Sequence, residues 1–397
     1  MTGVFGSPAP AGLVHGMGRD LAEPDWSPLT GEEVSAVLAR YDMRDLSDPV
    51  PGTAVTWRSP RPMSAAALVH RPGGDVFVKR HDPRVRTVAQ LVAEHRFITH
   101  LRDRGIPAPA VLRTSAGATA VHYGGFVYEV HEVAAGVDLY RDAVSWSPFT
   151  SLGHARAAGA ALARLHRAAA DFPLPARPQA VLVSSCDVVV SRDPVAEVAR
   201  MLRARPGLAR YLDARPWQED LMRHHVPVIG RAAPLLAQLG RQWGHGDWHP
   251  SNLTWNSATG QAEVADVFDF GLANRTFAVH DLATALERST VSWLDLAESG
   301  RAIADLDAID ALLDGYESVR PLSPAEGAAL AEVLPVVHLE YALSEIEYFA
   351  DVVASPGNAD LAYDGYLLGH VRWFEGTEGS AVTGRLRRRA RGAARSA

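Results

Sequence analysis

The octapeptide HGDWHPSN, residues 245–252, places two histidines, an aspartate and an asparagine within reach of one another. Three chemistries are compatible with it. If its first half is extended, His245, Asp247 and His249 project to one side, a ligand set suited to a divalent-metal hydrolase. Pro250 bars a continuous helix, so a plain turn running into the strand-like LTW is the second reading. The third is a phosphoryl-transfer loop, in which Asp247 lies beside an acceptor hydroxyl and takes its proton while the amide oxygen of Asn252 reaches a magnesium ion. That reading also requires a second metal ligand shortly downstream, and Asp269-Phe270-Gly271 supplies one. Between Asn252 and Asp269 there is room for one hairpin, LTWNS, the turn ATGQ and AEVADVF, which would return Asp269 to the position Asn252 left. Asp266 falls on the other side of that strand and reads as structural.

Charged residues elsewhere are used selectively. All but one of the 39 Lys+Arg residues are arginine, and the exception is Lys79. A single retained lysine suggests a position that needs a compact ammonium instead of a planar fork. Lys79 closes the run VFVKR with its side chain opposite that of Val78. Glu94 shares a helix face with Leu91 and Ile98, and a carboxylate on an apolar stripe requires either a cation or an edge that reaches water. A Lys79–Glu94 pair is geometrically reasonable. His280-Asp281 opens the helix LATALERS, where Asp281 reads as an N-cap and, as the alternative, as a brace for the loop.

These residues need elements to hold them. AVTWR, AAALVH and VFVKR are short β-compatible runs, with RPGGD supplying the turn between the last two, and FVYEVHEV at 126–133 is a further strand. Residues 86–104 carry apolar positions at helical spacing, and GEEVSAVLARYDM is a short helix before the strands. From about Ser147 onward the chain reads as mostly helical. The expected fold class is α+β: an antiparallel sheet with one main helix over 31–131, then a larger helical unit over 132–375. A flexible segment of residues 1–30 and a basic, disordered tail of 376–397 flank them. At 47% hydrophobic and 21% charged, with net charge −7, the chain reads as globular, with no bulk reason to bind nucleic acid or membrane. One cysteine excludes an internal disulfide, no export signal is visible, and a cytoplasmic location is expected.

HGDWHPSN, DFG, HDLA, LARLH at 162–166, VFVKR and Glu94 together resemble the aminoglycoside phosphotransferase family. This is the small-molecule, choline kinase-like branch of the protein-kinase-like fold, which also includes homoserine and methylthioribose kinases. The likeness extends over about residues 50–375. It implies two lobes, ATP and Mg2+ as cofactors, Asp247 as catalytic base, Asn252 and Asp269 as metal ligands, and Lys79 on phosphate, oriented by Glu94. Backbone near Glu129 to His131 would meet adenine, and Ser64 with neighbouring amides would contact phosphate. Two departures stand out: the segment over the phosphates, RSPRPMSAAALVH, contains no glycine, and Trp248 replaces a smaller apolar residue and should pack under the loop.

The activity expected is transfer of a γ-phosphoryl group to a hydroxyl of a small molecule: an aminoglycoside, amino alcohol, amino acid or sugar. A nucleotide-binding pseudokinase without turnover and the metal-dependent hydrolase are the rivals. Glu340, Glu347 and Asp351 form one helical stripe, which would favour a cationic acceptor if it faced the site and is otherwise a solvated face. Trp293, Tyr341, Tyr348 and Trp373 nearby could stack on a sugar, cage an amine or be core.

Overall fold

The computed structural model describes residues 13–17, 20–41, 53–71 and 73–396. They divide into two compact units: the chain up to Ser145 with Leu253–Ala258 and Val264–Phe268, and Trp146–Asn252 with Thr259–Glu263 and the chain from Asp269 onward.

In the first unit, β1 (Val14–His15) and β2 (Leu21–Ala22) pair as a short ladder, and Leu29 is buried in the core. The expected flexible lead-in is therefore partly built into the fold, and residues 1–12 lie outside the described chain. Thr30 caps helix α1 (Gly31–Leu38) through a capping box with Glu33. Five antiparallel strands follow in the order β3-β4-β5-β7-β6: β3 (Ala54–Arg58), β4 (Ala65–His70), β5 (Val76–His81), β6 (Ala120–Tyr123) and β7 (Phe126–Glu132). Alternation decides the two faces. Val76, Val78, Tyr128 and Val130 meet Val34, Val37 and Leu38 of α1 on one side. On the other, Val127 packs with Leu91 of helix α2 (Val88–Asp103). The unit continues past residue 131, because the strand-like segment after β7 pairs Val137 with Trp255.

The second unit begins with helix α3 (Leu152–Ala169), which lies against the helix Leu306–Val319. The contact depends on two glycines. A Cβ at Gly159 would sit 1.9 Å from Leu312 O, and one at Gly315 would sit 1.9 Å from Arg156 O. The run 194–213 is two helices, Pro194–Leu202 and Pro206–Leu212, separated ahead of a proline that cannot continue the first. Strand β8 (Gln242–Gly244) leads into the octapeptide; the expected hairpin is β9 (Leu253–Trp255) and β10 (Val264–Val267), which belongs to the first unit; and β11 (Asn274–Thr276) pairs back onto β8. The tail is not disordered: residues Thr377–Ser396 form a helix. Val382 and Leu386, one turn apart, are buried, and Arg385, Arg387 and Arg389 reach Asp310, Glu332 and Asp314. Charge density made this segment look solvated; a short apolar stripe docks it. No helix among the described residues is long and apolar enough to cross a membrane.

Candidate active site

Strand β8 delivers the octapeptide and β11 anchors the segment that follows Asp269, with Gly244 opposite Asn274. The two loops therefore leave one ladder. Gly246 has φ 75°, and a Cβ there would lie 2.6 Å from Leu272 O, so only glycine fits. The His245 ring stands between Trp248 (centroids 5.5 Å apart) and Phe270 (4.7 Å), which packs the two loops together. Trp248 is fully buried, as expected for a residue under the loop.

Asp281 fixes the loop from below. It is not the N-cap, because its helix, Ala278–Thr290, begins after Phe277 and places Asp281 at its fourth position. Its carboxylate accepts the backbone N–H of His245 at 2.7 Å and of Gly246 at 2.8 Å, and Nε2 of His166 at 2.9 Å. Burial alone would raise this carboxyl; the His166 hydrogen bond and the surrounding donors hold it below its ordinary value. His166, from LARLH, is oriented in turn by Tyr316 Oη at 2.8 Å from Nδ1.

With the loop held, Asp247 remains partly exposed, its side chain 16% accessible. Pro250–Asn252 form one 3-10 turn, and Nδ2 of Asn252 donates to the Asp247 carbonyl (2.9 Å) and Oδ2 (3.2 Å). That orientation leaves the amide oxygen of Asn252 as the atom it could offer to a metal ion. Asp269 sits in the left-handed region, φ 57° and ψ 66°. Arg177 braces the turn after it, donating to Gly271 O (2.9 Å) and Ala273 O (3.0 Å). An amide oxygen and a carboxylate are hard oxygen donors, the set that suits magnesium. Asp266 is structural as expected: its Oδ2 accepts Ala135 N–H at 2.6 Å.

In the first unit Lys79 lies on the central strand β5, between Ala66 and Glu129, on the sheet face that α2 covers. Glu94 is buried on α2. Ser64 is half-buried in the bend before β4. Glu129 and His131 have ladder or bridge neighbours on both sides, so their backbone lies within the sheet. The Glu129 carboxylate accepts from three histidines: His81 (2.8 Å), His95 (2.7 Å) and His131 (2.9 Å). Burial would raise it, but these partners hold it well below the usual carboxylate range.

The residue that motif reasoning missed is Arg288. Its guanidinium pairs with Asp247 Oδ1 and lies over the rings of Tyr341 (4.5 Å) and Trp146 (5.3 Å). Nothing in the sequence links positions 41 residues apart, since only the turn of the helix Ala278–Thr290 against the loop brings them together. The acidic stripe is engaged elsewhere. Glu340 accepts Val188 N–H at 2.6 Å, Glu347 pairs with Arg205, and Asp351 pairs with Arg210. Trp293 stacks on His370 at 3.6 Å and Tyr348 is fully buried, both as core. Among the described residues two His/Glu groups have converging ligand atoms, His95–Glu129–His131 and Glu287–His338–His370; His245, Asp247 and His249 are not such a group. The hydrolase reading thus lacks its ligand set.

The model of the phosphotransferase enzyme family (APH) matches residues 64–322. A homoserine kinase of Granulibacter bethesdensis is 26% identical over 327 residues, covering 81% of this chain and 87% of that protein. One from Methylobacterium nodulans is 28% identical over 288 residues, 70% of this chain and 77% of that one. Among solved structures, the amicoumacin kinase hAmiN in complex with AMP-PNP, Ca2+ and Ami has a TM-score of 0.52 at 15% identity, covering 83% of this chain and 96% of its own. A spectinomycin phosphotransferase in complex with ADP and spectinomycin has a TM-score of 0.51 at 9% identity, covering 87% and 98%. The fold is that of these phosphotransferases, α+β and protein-kinase-like.

Proposed function

The chain belongs to the phosphotransferase enzyme family, and we propose that it moves the γ-phosphoryl group of ATP, with magnesium, to a hydroxyl of a small molecule. Aminoglycosides, amino alcohols, amino acids and sugars are the acceptor classes of this reading, and the homoserine kinases among its relatives support the inclusion of amino acids. The observation that carries this reading is the loop itself: Asp247 is partly exposed on a backbone fixed by Asp281, with the Asn252 amide turned towards it.

In the transfer, the acceptor hydroxyl gives its proton to the Asp247 carboxylate as its oxygen forms a bond to the γ-phosphorus. The bond from that phosphorus to the bridging oxygen breaks, its electron pair stays on ADP, and Asp247 releases the proton to water. Little covalent work falls to the protein, so fixed positions and charge supply most of the rate. Magnesium when bound neutralises charge on the phosphate oxygens, and Asn252 with Asp269 would hold it. Lys79, oriented by Glu94, would hold phosphate oxygens, as would Ser64 at the glycine-free bend. Adenine would meet backbone that follows the Glu129–His131 run, where the chain leaves the sheet.

The test is ATP turnover with purified protein and a panel of acceptors, in wild type and Asp247→Asn. Acceptor-dependent ADP release that falls by at least about 10²-fold in the variant is expected. Turnover equal in both proteins would refute the role of Asp247. ATP binding with no transfer to any acceptor would favour a nucleotide-binding module.

A further inference from the structure

We infer that the acceptor is an alcohol bearing a carboxylate, of amino-acid size, and that Arg288 is the residue that selects it. This rests on the phosphotransferase reading above. A proton acceptor for a hydroxyl works best with its lone pairs accessible, yet here one oxygen of Asp247 is paired with a guanidinium whose side chain is only 3% exposed. Such a cation, removed from water, needs an anion at all times. While Asp247 is its partner, the acceptor hydroxyl has a competitor. The conflict disappears if the acceptor brings its own anion, so that Arg288 turns from Asp247 to the incoming group and the hydroxyl takes the vacated oxygen.

Among the described residues Arg288 has no second acid within hydrogen-bond reach. Glu287 Oε2 lies 4.0 Å from Arg288 Nε, beyond hydrogen-bond reach, and Nε has no hydrogen-bond partner among the described residues. Burial raises Glu287 to about 7 and Glu345 to about 8, so near neutral pH neither is a fully charged partner. His338 and His370, which face Glu287, are pushed down by the same burial and add no charge. Tyr341 and Trp146 are both half-buried; their rings meet edge to face at 6.3 Å and both border the guanidinium. Trp146 takes a backbone φ of 65°, a conformation that costs energy in most residues other than glycine.

The fork of donors on a guanidinium matches a carboxylate in shape and charge. It also repels an ammonium. The acidic stripe that would have drawn a cationic acceptor is already engaged by Arg205, Arg210 and the backbone of Val188. Charge beside Arg288 therefore disfavours acceptors that carry a cation and no carboxylate, such as aminoglycosides and choline.

Matched pairs of acceptors that differ by the carboxylate alone test this: L-homoserine against 3-aminopropan-1-ol, L-serine against ethanolamine, and L-threonine against 1-aminopropan-2-ol, with kanamycin and choline beside them. In wild type, kcat/KM should favour a carboxylate member over its partner by about 100-fold or more, because a site built around a buried charge strongly rejects the analogue that leaves it unpaired. Arg288→Lys should raise KM for that acceptor by about tenfold or more, with a smaller change in kcat, and narrow the preference. Equal or better turnover of the decarboxylated partner, of kanamycin or of choline would overturn the inference and leave the kinase reading intact. If no acceptor is turned over, calorimetry with L-2-aminobutyrate, which lacks the hydroxyl, decides separately. Binding to wild type and not to Arg288→Lys upholds the carboxylate site while the kinase reading fails; no binding to wild type refutes the site.

Discussion

The carboxylate of Asp281 accepts the backbone N–H of His245 at 2.7 Å, across 36 residues of chain. With Gly246 N–H and His166 Nε2 on the same group, one buried acid sets the path of the backbone that carries Asp247. Replacing Asp281 by Ala leaves two buried amides without an acceptor, at about 1–3 kcal/mol each. Asp281→Ala should therefore lower unfolding free energy by about 2–5 kcal/mol and reduce kcat by at least about 10²-fold, since misplacement near 1 Å costs that much in rate. Asp281→Asn, which keeps one acceptor oxygen, should fall between. Urea unfolding and steady-state turnover measure the two. A loss near 1 kcal/mol with kcat unchanged would instead mean a simple helix cap.

Much of this is written locally and could be read from sequence. The period-2 runs around Lys79 gave its side of the sheet, and the helical spacing of Leu91, Glu94 and Ile98 put Glu94 on the buried face that meets the same side. The spacing of Asp247, Asn252 and Asp269, with hairpin-length chain between, gave the loop pair. Strand β6 had a signal that went unused: Gly124 and Gly125, both at positive φ, make the two-residue turn that joins it to β7. Asp281 was misplaced by a boundary, since the helix starts three residues before Asp281, which looked like its cap. Arg288 is of another kind. Its ion pair and its two aromatic walls come from three distant segments, and no local pattern records a contact made by tertiary packing.

Close helix crossing connects the core to the site. Gly159 lies two turns before His166 on α3, and an added methyl would overlap Leu312 O at 1.9 Å. Separating the helices costs about 1–3 kcal/mol or more and moves His166 away from Asp281 and Tyr316. Gly159→Ala should lower the melting temperature and kcat together, with KM for ATP changed less. Differential scanning calorimetry beside turnover gives both values. An alanine variant as stable and as active as wild type would show that the helices can part without moving His166.

Docking of the C-terminal helix rests on apolar contact more than on its charges. Arg385, Arg387 and Arg389 make partly exposed pairs, each worth about 0–1 kcal/mol. Val382 and Leu386 are buried, at about 1.5–3 kcal/mol each. Truncation after Gly376 should therefore destabilise the protein by several kcal/mol, whereas 0.5 M NaCl, which screens the pairs, should shift its unfolding midpoint only slightly. Salt that reproduces the effect of truncation would reverse this ranking of the two forces.

Buried titrating groups give stability two opposite slopes with pH. Burial raises Glu345 from its ordinary 4.5 to about 8, and Glu287 and Glu340 to about 7. Between those values the folded chain holds protons that the unfolded chain releases, so their contribution is complete below pH 4.5 and is lost as pH rises through 7 to 8. His280, lowered to about 4, and His338, lowered to about 3, act in the other direction: the unfolded imidazoles bind protons below 6.5 while the folded ones do not, and stability falls with acidification. Maximum stability should lie between the two branches. Glu345→Gln removes one titration from the alkaline side, so the melting temperature of the variant relative to wild type should climb steadily from pH 5 to pH 8.5. Parallel melting curves for the two proteins across that range would mean that Glu345 is already ionised in the folded chain.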